Sequence, residues 1–388
     1  MTGMMARRRV LAGAGALAGM GMLGGCAGRS APAKTPALQL PPMRVTPDRI
    51  SHITVCTRPF RAQGPRLELE RVGAKTVLHH YGHGGSGWSL SWGAGEKAAA
   101  LALGTGAREI GVIGCGAMGL TTALLLQRAG ARVTIYAREF PPHVASAYAS
   151  GVWSPDSRIA LEQHATPSFK ADWEAMTRRS FAAFQGLLGL ADAPVEWIDS
   201  YVVRDRALSP PVAEDRPRFA ELRRELVPDL SVGARDYEPG DHPFGDRTVR
   251  RVSFMMYNLA AYGRMLMADF LAAGGRTERR EFHSPAELAA LPQPLLVNCT
   301  GYGAKALFGD VSLTPVRGQI AHVATERGPG HGLYYDQVSF VPRRDGLVFQ
   351  KTGANDYYGF GDDSTAPDRA EAEEAVRTIG RLYATSSS

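Results

Sequence analysis

At 388 residues, 44% of them hydrophobic, the chain can bury one large core or two modest ones, and ordinary domain size favours two. The formal charge of +6 falls to +3 without Arg7, Arg8 and Arg9 of an acid-free leader, too little to argue for nucleic acid as a partner. The four cysteines show no metal-ligand spacing, so no metal is expected; with Cys26 in the leader, Cys115 in a glycine turn and Cys299 at a strand end, Cys56 alone gives no disulfide framework.

Residues 1–25 read as a signal peptide, in which Arg7-Arg8-Arg9-Val10-Leu11 precedes a short, mildly apolar Gly/Ala/Leu/Met run. The arginines resemble a twin-arginine export signal. Leu23-Gly24-Gly25-Cys26 resembles a bacterial lipobox, which would make Cys26 a lipid anchor and place the protein in the periplasm or on a membrane. Residues 26–43 are Pro/Ala-rich and read as a flexible tether.

Residues 50–57 read as a strand, and 66–77 as a hairpin-like alternation of apolar and charged positions. A further strand ends at His80, Gly82, Gly84, Gly85 and Gly87 make a turn with exposed backbone, and residues 89–103 form a helix. The next unit, residues 109–139, organises the chain. Ile110, Val112 and Ile113 make a strand; Gly114, Gly116 and Gly119 allow a tight turn, close approach of a pyrophosphate and close helix packing; an apolar helix over 120–129 is closed by Gly130. A second strand, 132–137, leads to Arg138 and then Glu139, the acid placed to take ribose hydroxyls. This is a dinucleotide site, with the helix N-terminus facing the diphosphate.

Residues 166–190 carry an amphipathic helical pattern with Trp173, Met176, Phe181 and Phe184 as core, and 204–250 read mainly as loop. Helical spacing returns over 256–274. Strands are expected over 295–298, 316–323, 338–342 and 346–350, and a charged surface helix over 366–383.

Three motifs together, VIGCGAMGL at 112–120, NCTG at 298–301 and HYGHGGSGWSLSW at 80–92, resemble the D-amino acid oxidase family of flavoproteins. SGVWSP at 150–155, VRGQI at 316–320 and ARE at 137–139 support the likeness, which covers nearly the whole chain after the leader. The order differs from the family's: the arginine strand and the HYGHGG turn, which close family sequences, here come before the glycine fingerprint. The chain therefore resembles a circular permutation, residues 365–383 followed by 43–70 restoring the family order.

The resemblance implies an α/β fold: a Rossmann-type FAD-binding domain from residues 72–156 and 252–312, and a substrate domain with a mixed or antiparallel sheet from 44–71, 157–251 and 313–388. It implies FAD held by Gly114, Gly116, Ala117, Met118 and Gly119 at the diphosphate, Arg138 and Glu139 at the adenosine, and Ser150, Gly151, Val152, Thr300 and the backbone of Gly84, Gly85, Gly87, Trp88 and Ser89 around the rest. The implied catalytic set is Arg58, Tyr335, Ser339 and Gly85. Arg58 matches the family arginine that clamps the substrate carboxylate with its planar fork, and Cys56, two residues earlier, shares its strand face. Tyr335 matches the lid tyrosine, with Tyr334 beside it; Ser339 stands where the family has a second tyrosine, a departure that bears on substrate class. The reaction implied is oxidative deamination of a D-amino acid: hydride passes from the alpha carbon to flavin N5, dioxygen becomes hydrogen peroxide, and the imino acid hydrolyses to a 2-oxo acid and ammonia. A flavin dehydrogenase feeding another acceptor, and a non-catalytic FAD-containing surface lipoprotein, remain alternatives.

Overall fold

The longest strand, β1 (Ile50–Arg61), runs four residues past its expected end, through Pro59. It can do so because it is an edge strand, where a residue without an N–H costs little, and Pro59 faces Pro315 across the ladder. The computed structural model describes residues 37–41, 43, 45–206, 216–324 and 329–384; the leader with Cys26, and most of the expected tether, lie outside the described residues.

After β1 come the hairpin β2 (Arg66–Val72) and β3 (Lys75–Tyr81), then α1 (Gly87–Gly104). The central unit is β4 (Glu109–Ile113), α2 (Ala117–Arg128) and β5 (Arg132–Ala137), with α2 starting in the glycine turn itself. Next is α3 (Pro167–Gln185), whose cap Thr166 accepts the Phe169 N–H at 3.2 Å. The stretch that follows holds β6 (Val195–Arg204), the short α4 (Arg223–Leu226), β7 (Arg235–Tyr237) and β8 (Thr248–Tyr257). Then come α5 (Leu259–Ala272), β9 (Arg276–Arg279), β10 (Leu295–Asn298) and the short α6 (Ala304–Phe308). The chain continues through β11 (Leu313–Val323), β12 (His331–Tyr335), β13 (Val338–Arg343) and β14 (Gly346–Lys351) to α7 (Arg369–Ala384).

Two sheets result. The smaller runs β2-β3-β10-β4-β5-β9, parallel except for the β2–β3 hairpin. From β4 the chain crosses by α2 to β5 on one side, whereas β10 and β3 lie on the other. That reversal leaves a crevice at the carboxyl ends of β4 and β10, where open α/β sheets bind ligands. Leu120, Leu124 and Leu126 of α2 pack with Ala98 and Ala102 of α1 and Leu266 and Phe270 of α5 in its main core.

The larger sheet runs β1-β11-β14-β13-β12-β6-β8-β7, antiparallel except between β12 and β6. Val376 and Ile379 of α7 close one face against Val323, Leu333, Phe340 and Phe349. The helix expected to be surface is thus amphipathic, its apolar side part of a core.

Three expectations change. β2 belongs to the smaller sheet, so the division at 71/72 cuts the hairpin; β8 belongs to the larger, so the division at 252 cuts a strand. The helix expected from 256 starts at Leu259, because Met256 and Tyr257 complete the β8 ladder against β6. Among the described residues no helix is long and apolar enough to cross a membrane.

Candidate active site

A cavity of about 1010 Å³ opens at the crevice and runs to the face of the larger sheet opposite α7. At the crevice end, Gly114 takes φ of 100° and its N–H donates to Tyr136 O at 2.8 Å, turning the chain sharply out of β4. A Cβ on Gly119 would stand 2.0 Å from Gly114 O, so α2 rests directly on the turn. Gly114, Gly116, Ala117 and Met118 line the cavity, whereas Gly119 serves the packing behind it.

Gly87, Trp88 and Ser89, the first residues of α1, line the same cavity. Two helix N-termini therefore face one space, each with N–H groups outside its own helical ladder and a partial positive charge of roughly half a unit. Ser146 fixes their spacing: its Oγ accepts the Ala117 N–H at 3.0 Å and its carbonyl accepts Trp88 Nε1–H at 2.8 Å. Nothing in the sequence pattern marks Ser146.

The glycine turn before α1 is clamped from outside. Gly84 has φ of 54° and a Cβ there would lie 2.0 Å from Arg158 O, while the Gly85 N–H donates to Ser157 O at 2.9 Å. Gly84, Gly85, Ser150, Gly151, Val152 and Thr300 all line the cavity. Thr300 is oriented by Asn298, whose Oδ1 accepts the Thr300 hydroxyl at 2.7 Å. Arg138 and Glu139 line the far end, Arg138 paired with Glu281 and Glu139 with Arg279, each at 3.0 Å.

His80 and His83 are buried in this wall with ring centroids 5.2 Å apart. Burial holds His80 down to about 4, and burial, then His80, pushes His83 well below its ordinary value, so both are neutral near pH 7. His80 Nε2 lies 3.1 Å from Met118 Sδ, and Nδ1 of each ring has no partner among the described residues. Buried polar atoms normally have partners. These orphans, the two helix N-termini and Glu139 suit a large ligand with an anionic centre and polar edges.

At the other end, register decides which side chains face the cavity. Cys56 and Arg58 alternate onto the cavity face of β1, opposite Gly318 and Val316 of β11. The Arg58 guanidinium lies over Gly318, where a Cβ would stand 2.6 Å from both terminal nitrogens. Arg58 Nη1 donates to Arg317 O at 3.1 Å, and no carboxylate pairs with Arg58 among the described residues. Burial pushes the Cys56 thiol up, against the two arginines, so it is a neutral wall.

Tyr335, expected over the substrate, is on the opposite face: its Oη donates to Asp205 at 3.2 Å and the Arg247 guanidinium sits over its ring. Adjacent strand residues point to opposite sides, so it is Tyr334 that lines the cavity. Ser339 pairs with Tyr334 across the ladder and shares its face, but it is not among the lining residues; Gln350, opposite Ser339 on β14, is. Arg158 and Asp356, neither marked by the sequence, also line this end.

A helix N-terminus on each side of a switch-point crevice, with an acid at the ribose distance, defines a dinucleotide-binding protein. The family model for DAO, FAD dependent oxidoreductase, matches residues 109–386, and the chain belongs to this family. It is an FAD-dependent oxidoreductase, and the cavity residues fit that cofactor. The chain is 32% identical over 280 residues to the D-amino-acid oxidase of Rubrobacter xylanophilus, covering 70% of this chain and 76% of that one. Against the Streptomyces coelicolor D-amino-acid oxidase it is 28% identical over 288 residues, 71% and 77% of the two chains. For the Dictyostelium discoideum D-amino-acid oxidase the figures are 25% over 276 residues, 70% and 72%.

Proposed function

We propose that the protein oxidises D-amino acids to 2-oxo acids and ammonia, with dioxygen as the final acceptor. The observation that carries this is Arg58, a guanidinium on the cavity wall with no paired carboxylate among the described residues. Its fork can bind an alpha-carboxylate through two parallel hydrogen bonds, and the backbone carbonyl of Arg317 holds its orientation. Tyr334, on the same face, supplies a hydroxyl to the carboxylate in place of Tyr335. Gly85 contributes backbone at the turn, and the neutral Cys56, His80 and His83 leave the wall between without a charge to repel an amine. FAD, when bound, would supply the hydride acceptor and the electron route to dioxygen. Orientation by Arg58 is thus the main task of the side chains. The backbone of Gly116, Ala117 and Met118 would hold the cofactor diphosphate, Glu139 its ribose, and α1 the flavin edge.

The test is anaerobic. Purified holoprotein is mixed with D- and then L-amino acids, flavin absorbance is followed, and air is admitted. Bleaching by D-enantiomers and peroxide on re-aeration are expected. Bleaching by L-enantiomers alone, or by none, overturns the proposal.

Circular permutation is part of the same reading. In its support, the family match begins at residue 109, on β4, and residues 45–49 lie against α7: Arg369 Nη2 donates to Pro47 O at 3.1 Å, and a Cβ on Gly380 would be 3.0 Å from Val45 O. Joining residue 383 to 43 thus spans neighbouring points. A chain with residues 43–106 moved behind Tyr383 should fold and bind FAD; inclusion bodies at every linker length argue against it. The leader reading adds export and a lipid on Cys26, tested by membrane association of Cys26→Ser, which should be lost.

A further inference from the structure

Arg158 brings a second guanidinium to the substrate end of the cavity. Its side chain is 11% exposed, and Arg58 is close enough to act on it as a like charge. Burial pushes Arg158 down to about 10, Asp356 works against that shift, and Arg58 adds to it. Its Nε donates to Asp356 O at 2.6 Å, its Nη2 meets Asp356 Oδ1 at 3.1 Å, and Nη1 reaches Ser157 Oγ at 3.4 Å. The Asp356 side chain is 55% exposed, so water screens the only carboxylate on this pair of cations among the described residues.

The position is also fixed. Arg158 adopts φ of 51°, which side chains rarely take, and its carbonyl is wedged against Gly84. Ser157 O receives both the Gly85 N–H and the Ser86 hydroxyl, tying the segment to the turn. A strained backbone held in this way keeps the largely covered Arg158 guanidinium on the same cavity wall as the half-buried Arg58. Such an arrangement is unfavourable unless an anion lies between them.

We infer that the substrate is a D-amino acid with an acidic side chain, its alpha-carboxylate on Arg58 and its side-chain carboxylate on Arg158. The inference names the substrate class for the oxidation proposed above and rests on that reading for turnover, though not for binding. Asp356 is then a built-in competitor that the substrate carboxylate displaces or shares.

Two measurements on the holoprotein test it. In the first, kcat/KM is compared within size-matched pairs, D-aspartate against D-asparagine and D-glutamate against D-glutamine. The acid should be favoured about tenfold or more, as expected for a hydrogen bond to a charged group. Arg158→Gln should erase the preference, and Asp356→Asn, which removes the competing anion, should widen it. In the second, succinate should raise the melting temperature more than butyrate, and Arg158→Gln should abolish the difference. Should no amino acid be oxidised while succinate still outperforms butyrate through Arg158, the oxidase reading fails and the two-cation subsite stands. An amide preference in the wild type, or equal shifts by the two acids, overturns the subsite. If Arg158→Gln does not fold, Asp356→Asn decides, and an unchanged or smaller acid preference overturns the inference.

Discussion

The two ends of the cavity carry positive potential by different means. At the crevice, positive potential comes from backbone: the first turns of α1 and α2, spaced by Ser146, with glycines where side chains would intrude. At the sheet face it comes from side chains, Arg58 over Gly318 and Arg158 against Asp356. A site made of backbone is broken by adding atoms, and one made of side chains by removing them. The crevice end should therefore be sensitive to small gains in volume, the sheet end to loss of charge.

The largest effect is expected from Gly119→Ala. Its Cβ would stand 2.0 Å from a backbone oxygen, which cannot rotate away, so α2 must lift off the turn. A loss of about 3 kcal/mol or more and of bound flavin should follow, read as melting temperature and flavin-to-protein absorbance. Gly116→Ala meets the Ser146 side chain, its Oγ at 3.2 Å, and should cost less stability. Full flavin occupancy in Gly119→Ala would break the contrast at this end.

Arg58→Ala is the matching change at the sheet end. Flavin should stay bound, because the cofactor contacts proposed above are made by the glycine turns and helix N-termini and not by Arg58. Loss of a bidentate, charge-assisted contact should lower kcat/KM for D-amino acids by about a hundredfold or more. Arg58→Lys should recover part, since it keeps the charge and loses the fork. Wild-type turnover in Arg58→Ala would remove the carboxylate site from this wall.

The same contrast explains what could be read in the sequence. The β4–α2–β5 unit lies in thirty-odd consecutive residues, and each requirement on it, from Gly114 to Glu139, is local. The sheet end is assembled from positions 58, 158, 318, 334 and 356, whose meeting depends on strand register and on a clamp around Gly84. Arg58 was legible through a motif, whereas Arg158 lies where only the fold brings it. The β6–β8 ladder is not legible because its strands are separated by a long stretch rich in Arg, Asp, Pro and Gly that resembles loop and takes in the start of β8, while its last residues, Met256 and Tyr257, share the helical pattern after it.

Acid should affect the crevice end through its histidines. His80 is held at about 4 by burial, below its unfolded value of roughly 6.5. A depressed histidine stabilises the fold fully above the unfolded value, and that contribution is lost as pH falls from about 6.5 towards 4, because the unfolded chain takes the proton first. At pH 5 the share of His80 is about 2 kcal/mol. His83 acts in the same direction, as do His322, held to about 3, and His331, held to about 4, each chiefly by burial. Melting temperature should therefore fall between pH 7 and 5, and His80→Gln should flatten part of that slope. An unaltered slope would mean that His80 is not buried neutral beside Met118.

The smallest effect separates two neighbouring tyrosines. Tyr334 and Tyr335 differ by one position, yet alternation along β12 sends one to the cavity and the other to Asp205 and Arg247. Tyr334→Phe removes one hydroxyl from the carboxylate site and should raise KM about tenfold, the value of one hydrogen bond to a charged group, with little change in melting temperature. Tyr335→Phe loses a partly solvated bond to Asp205, so its effect on stability should be about 0.5 kcal/mol or less, and KM should not move. The pair is informative because a one-residue slip of β12 between β6 and β13 would exchange the two roles. If Tyr335→Phe raises KM while Tyr334→Phe does not, the register of β12 in the working enzyme is the other one, and with it the cavity face of Ser339 and Gln350.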